Sequence, residues 1–125
     1  MCLILLAWQA HPDYPLVVAA NRDEFFSRRT AAADFWADAP GVLAGRDIEA
    51  GGSWLGISRN GRFAALTNYR DPARNKDGAP SRGELVSRFL TGLQSPEAYL
   101  AELESCADRY NGFNLVFGDP DGLWC

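Results

Sequence analysis

A chain of 125 residues, 47% hydrophobic and 22% charged, has the composition of one globular domain or part of one, not of a disordered segment. Its 12 Lys and Arg against 16 Asp and Glu give a net charge of -4, which leaves no basic excess to displace counterions from phosphate and excludes generic nucleic-acid binding. The longest apolar run, 3–8, is too short to cross a bilayer and lacks the flanks of a secretory signal, so no stable membrane insertion is expected. The 3 cysteines, widely spaced, make no disulfide framework and point to a reducing, cytoplasmic setting.

Residues 2–8 are apolar, and a turn at His11-Pro12-Asp13 leads to a second apolar run over 15–20. This predicts a β-hairpin with both faces buried. The second strand empties without a spacer into Asn21-Arg22-Asp23-Glu24. Residues 25–39 mix Phe25, Phe26, Phe35 and Trp36 with Arg28 and Arg29, which predicts a loop with a short helical turn and its rings in the core. A short strand is expected at 42–46. Residues 53–58 and 62–68 read as strands around Arg59-Asn60-Gly61, and Asn-Gly favours a type I′ turn.

The Pro-, Gly- and Asp-bearing stretch 69–80 reads as an exposed loop. Ser81-Arg82-Gly83-Glu84 has the form of a capping box, followed by one apolar helical stripe of Leu85, Val86, Phe89, Leu90 and Leu93. Ser95-Pro96 opens a second helix, whose Tyr99, Leu103, Cys106 and Tyr110 share a face before Asn111-Gly112 ends it. A strand at 113–117 and a turn at 119–122 lead to Leu123-Trp124-Cys125, which opens another strand. The order of strands, two helices and strands again predicts an α+β fold. A stop on three apolar residues just past a turn predicts that 1–125 is a single, incomplete domain.

Cys2 is the first residue with chemistry to offer. Removal of Met1 would free the Cys2 α-amine as general base for its own thiol, the arrangement of N-terminal nucleophile enzymes; the plainer reading is a small buried strand residue. A hairpin returns Arg22 and Asp23 to the start of the first strand, where an Arg favours a thiolate and an Asp can hold the ammonium or orient the Arg. The plainer reading of these two is a solvated charge cluster. Asn68 ends a strand, where its amide or a backbone N–H can meet an oxyanion or simply open a turn. Arg70, Arg74, Lys76 and Arg82 are sparse cations on a loop, suited to an anionic ligand or to solvent. His11 has no second His to pair with, the Cys and His spacing matches no metal site, and Gly51-Gly52-Ser53 lacks the Lys of a phosphate loop. No cofactor is indicated.

Several strings together carry a resemblance: Met1-Cys2, Ala19-Ala20-Asn21-Arg22-Asp23-Glu24-Phe25, Asp34-Phe35-Trp36, Gly51-Gly52-Ser53-Trp54-Leu55-Gly56, Ala64-Ala65-Leu66-Thr67-Asn68-Tyr69-Arg70, Arg82-Gly83-Glu84-Leu85-Val86 and Tyr110-Asn111-Gly112-Phe113-Asn114. The chain resembles the NRDE family, that of the transport and Golgi organisation protein 2, from end to end. The resemblance implies the N-terminal half of a protein about twice as long. It also implies an N-terminal nucleophile hydrolase-like αββα sandwich, of which this chain would be the N-terminal part. In the related penicillin V acylase and bile salt hydrolase group the chain starts Met-Cys, an Arg ends the second strand with an Asp after it, and a Leu-Asn-aromatic segment gives an oxyanion N–H. Cys2, Arg22, Asp23 and Asn68 would then be catalytic, with Tyr69 and Arg70 at the substrate. Two functions stay open: a Cys hydrolase of a C–N amide bond, and a non-catalytic carrier of haem or a lipid or acyl ligand on the same scaffold.

Overall fold

Strand-forming runs alternate with turn residues through the first half of the chain, and the computed structural model, which describes residues 2–69 and 71–125, draws them into two antiparallel sheets. Strands β1 (Leu3–Trp8) and β2 (Leu16–Asn21) pair only with each other, in register from Leu3 opposite Asn21 to Trp8 opposite Leu16. A six-stranded meander runs in chain order through β3 (Thr30–Trp36), β4 (Ala39–Asp47), β5 (Leu55–Ser58), β6 (Phe63–Asn68), β7 (Phe113–Asp119) and β8 (Gly122–Trp124). Helices α1 (Gly83–Thr91) and α2 (Pro96–Cys106) are inserted between β6 and β7. The fold is mixed α+β, as the element order predicts.

The core lies between the large sheet and α1, whose Leu85, Val86, Phe89 and Leu90 are all buried. Small residues on the sheet allow this close approach: a Cβ at Gly56 would fall 2.6 Å from the Ala44 Cβ and 2.8 Å from Leu90 Cδ1. Phe89, Tyr99 and Phe117 form a triangle of rings with centroids 5.0, 5.1 and 5.2 Å apart, the spacing of favourable edge and tilted contacts. The Tyr99 hydroxyl donates to the Leu85 carbonyl at 2.6 Å, tying α2 to α1. Arg62, itself buried, donates from Nη1 to the Phe89 carbonyl at 2.9 Å and also reaches the Gln94 carbonyl. A cation there satisfies carbonyls that the end of α1 leaves open.

The structure departs from the sequence expectations at several places. The first hairpin is not buried on both faces: Leu3, Leu5 and Val17 are about half exposed. The segment 25–39 is not a loop with a helical turn but contains β3, because nine-residue β4 offers it a ladder, with irregular register after Ala31 and Phe35. Phe25, Phe26 and Phe35 are exposed, and of that aromatic set Trp36 alone is core. At 58–62 only Gly61 has positive φ (86°), and Gly61 N–H bonds Ser58 O while Ser58 N–H bonds Arg62 O. That is a three-residue loop with a glycine bulge, not a type I′ turn.

The capping box does not form either. Arg82 occupies the cap position without a side-chain cap bond, and Glu84 N–H bonds the Ser81 main-chain carbonyl at 3.1 Å instead. The Glu84 carboxylate accepts from the Tyr110 hydroxyl across the core edge. Leu93 lies past the end of α1 and is exposed. Ser95 does cap α2, accepting from Ala98 N–H at 3.2 Å with Pro96 at the first helical position.

Candidate functional site

The hairpin register places Cys2 at the open end of β1, facing the residues that follow β2. Its Sγ accepts a hydrogen bond from the Asp23 backbone N–H at 3.3 Å and lies 3.7 Å from the Asp23 carbonyl oxygen. It is therefore the Asp23 main chain that the described contacts bring to the sulfur. Successive strand residues point to opposite faces, so Cys2, Ile4 and, across the pair, Ala20 share one face. All three line a cavity of about 290 Å³ with Arg22, Asp23, Ser53, Leu66 and Asn68.

Arg22 is held by two partners. Its guanidinium carbon sits 4.3 Å above the Trp54 ring, and Nη2 lies 3.3 Å from Glu24 Oε2. The Trp54 ring occupies that place because position 45 has no side chain, since a Cβ at Gly45 would lie 2.7 Å from the ring. Glu24 is fixed in turn by the Phe25 N–H, which donates to Oε1 at 2.9 Å. The sequence string from Asn21 to Phe25 thus becomes a locally braced cluster beside the thiol.

Asn68 ends β6, and its backbone direction follows from its neighbours. Leu66 N–H bonds Trp54 O at 2.8 Å on the β5 side, whereas Tyr69 N–H bonds Gly112 O at 3.0 Å on the β7 side. Because ladder groups alternate, the Asn68 N–H points to the β5 side, beyond Trp54, where the cavity lies. The Tyr69 N–H is used by the sheet, and the Tyr69 ring is exposed on a second, larger cavity of about 1190 Å³. Met1 and Arg70 lie outside the described residues.

Three contributors escape a reading of the sequence alone. Arg82, singled out only as a loop cation, is half-buried between the two cavities and donates from Nη1 to Gly112 O at 2.9 Å. Asn111, read as a helix terminator, clamps the loop instead: its Oδ1 accepts from Lys76 N–H at 2.7 Å and its Nδ2 donates to Lys76 O at 3.2 Å. Arg28 braces the cavity wall by two bonds to Asp47 Oδ2, at 2.9 and 2.7 Å. Charged residues in a segment expected to be loop gave no pointer to this pair, which depends on β4 being long.

Burial pulls the Asp47 carboxyl upward, but the Arg28 guanidinium and the N–H groups of Ala50 and Glu49 outweigh it and hold it below the ordinary carboxylate range. A group so depressed contributes stability that is complete above the unfolded value of about 3.9 and is lost as pH falls through the lower folded value. Asp47→Asn should therefore cost about 1–3 kcal/mol at pH 7, less than a fully buried pair because Arg28 is a third exposed. The cost should shrink as pH falls below about 4, where the unfolded carboxyl takes up its proton first, and should fade once the native carboxylate is protonated too. Urea titrations of both forms at neutral and acid pH check this.

Among the described residues no group of three or more His, Cys, Asp or Glu is placed to hold a metal ion, and no helix is long and apolar enough to cross a membrane.

The family model described as Transport and Golgi organisation 2 matches residues 1–124. The chain is 46% identical over 126 residues to the Transport and Golgi organization protein 2 homolog of Bos taurus, covering 95% of this chain and 45% of that protein. It is 44% identical to the Homo sapiens homolog over 126 residues and 35% identical to the Drosophila melanogaster Transport and Golgi organization protein 2 over 129 residues, again covering 45% of each relative. The chain thus spans a little under half the length of these relatives.

Proposed function

The chain belongs to the Transport and Golgi organisation 2 family, and from that premise and the setting of Cys2 we propose that it carries the nucleophile of a cysteine N-terminal nucleophile hydrolase acting on a C–N amide bond. The observation that carries this reading is the Cys2 sulfur at the wall of a cavity, accepting the Asp23 N–H at 3.3 Å, with the end of β6 on the same cavity. On this reading the two sheets and two helices are the N-terminal part of an αββα sandwich, and 1–125 is one incomplete domain. With no disulfide among its cysteines, the proposed setting is cytoplasmic.

After loss of Met1, the Cys2 α-amine takes the thiol proton as the sulfur attacks the amide carbonyl. The carbonyl oxygen becomes an oxyanion, which the Asn68 N–H is directed to meet. The C–N bond then breaks, the α-ammonium gives its proton to the departing amine, and water activated by the same α-amine hydrolyses the thioester. Arg22, braced by Trp54 and Glu24, keeps a positive charge at the site without competing for the sulfur, and Tyr69 and Arg70 would meet the substrate. A second reading, a carrier of haem or an acyl ligand, is favoured by the larger cavity and its exposed rings.

Intact-mass measurement with and without iodoacetamide separates the two. The hydrolase reading expects a mass lacking Met1 and an adduct on Cys2 that forms at least tenfold faster than on Cys106. A Cys125→Ser background is needed because Cys125 is exposed. Arg22→Ala should slow the Cys2 adduct several-fold and leave Cys106 unchanged, with Arg22→Lys intermediate because it lacks the planar fork. Retention of Met1, or Cys2 reacting no faster than Cys106, removes the hydrolase reading and leaves the carrier.

A further inference from the structure

We propose that the 1190 Å³ cavity seats an apolar acyl or aryl body bearing one carboxylate, and that Arg82 is the group that holds the carboxylate. Calling this occupant the non-reacting arm of the substrate rests on the hydrolase reading; the binding itself does not.

The cations around the two cavities differ in what already engages them. Arg28 is paired with Asp47, Arg74 with Asp71 and Arg22 with Glu24, while Lys76, which reaches the Asp108 carbonyl, is exposed and lies off the Cys2 cavity. Arg82 makes no ion pair among the described residues, and its one hydrogen bond goes to a neutral carbonyl, that of Gly112. Burial lowers its proton affinity most, the Glu24 charge partly offsets this, and the Arg28 charge adds to it. A half-buried guanidinium with only a neutral partner keeps donors to spare, and their planar fork matches a carboxylate. Its position fits the role, since Arg82 lies on both cavities and on the wall that Cys2 shares.

The lining of the larger cavity also carries the carboxylates of Asp23, Glu24, Asp71 and Asp108, and its apolar part is supplied by aromatic rings. Phe25 and Tyr69 expose their rings there beside Phe113, and exposed rings gathered on one concavity are the usual lining of a small-molecule site. Asn111 pins the 71–76 loop over this cavity, so its wall is built by side-chain contacts and not by a free loop.

The test uses the chain in a Cys2→Ser form, to keep out covalent reaction, and titrates it with dansyl-undecanoic acid and with its methyl ester. The acid should bind at least tenfold more tightly than the ester. Arg82→Gln should erase that preference while leaving the ester unchanged, and Arg82→Lys should keep part of it. Equal binding of acid and ester, no binding of either, or a preference that survives in a folded Arg82→Gln protein overturns the proposal. The acid–ester comparison needs no Arg82 variant and so stands even where one fails to fold. An intact preference in a protein whose Cys2 proves unreactive leaves this site standing and removes only the hydrolase reading.

Discussion

Replacing Gly52 with alanine should destabilise the fold by at least about 3 kcal/mol, the upper end of what overpacking costs, and should disorder the site with it. A Cβ at Gly52 would lie 2.5 Å from the carbonyl carbon of Gly83, 2.6 Å from its oxygen and 2.8 Å from the Glu84 nitrogen. All three are main-chain atoms in the first turn of α1, so no side chain can swing aside. The backbone cannot yield easily either. Ser53 N–H donates to Gly83 O at 3.1 Å, and Gly52 O accepts from Asp47 N–H at 2.9 Å, so the clash sits between two stitched segments. Ser53, Trp54, Arg82 and Gly83, which all line the Cys2 cavity, would be pushed apart. Gly51→Ala is the internal comparison: its φ is 76° with open space around it, so only the left-handed strain of about 1–2 kcal/mol applies. Chemical denaturation of the two variants should separate them clearly. A Gly52→Ala protein within about 1 kcal/mol of the parent would show that α1 and the β5 lead-in are not in contact.

The elements visible in the sequence are those whose signals are local. Asn60-Gly61 between two extended runs gave the β5–β6 hairpin, and Ser95-Pro96 gave the start of α2 with its real cap. The positioning of Cys2 beside residues 22–23 followed from hairpin geometry alone, because an antiparallel pair must return to its start. What the sequence hid depends on partners distant along the chain. Strand β3 is drawn out by β4 despite its alanines and Asp34. Glu84 leaves the capping box because Tyr110, brought in by α2 and β7, offers it a hydroxyl. Nothing local announces that Trp54, which fills the space above Gly45, gives Arg22 a ring to stack on. Arg82 reads as one more loop cation in the sequence, and it is the fold that places it between two cavities with no ion pair among the described residues.

The hairpin that carries Cys2 should also drive self-association of this chain, and a single charge on its outer face should weaken that association by about tenfold or more. Strand alternation sorts the hairpin's side chains onto two faces, with Leu6 on the Cys2 face also exposed at 41%. Ile4, Ala20 and Cys2 face the cavity, whereas Leu3, Leu5 and, beside Ala7, Val17 face outward at 50%, 59% and 48% exposure. Among the described residues the pair has no third strand, so both of its edges are open, and its main contact with the large sheet is that of β1 with β6. A lone two-stranded ribbon is marginal in water, and open edges beside exposed aliphatic residues are the standard invitation to pairing. A second copy laid on that face would bury the exposed 59% of Leu5, worth about 1–2 kcal/mol. Leu5→Glu forfeits that gain and desolvates a charge, which converts to the stated loss in association constant at 1.4 kcal/mol per tenfold. Sedimentation over a concentration series should show the parent associating and the variant shifted toward monomer, with amides of β1 and β2 exchanging faster in the monomer than those of α1. A parent chain that stays monomeric throughout, with hairpin amides as protected as those of α1, would mean that the strand following Cys2 is held by the fold alone.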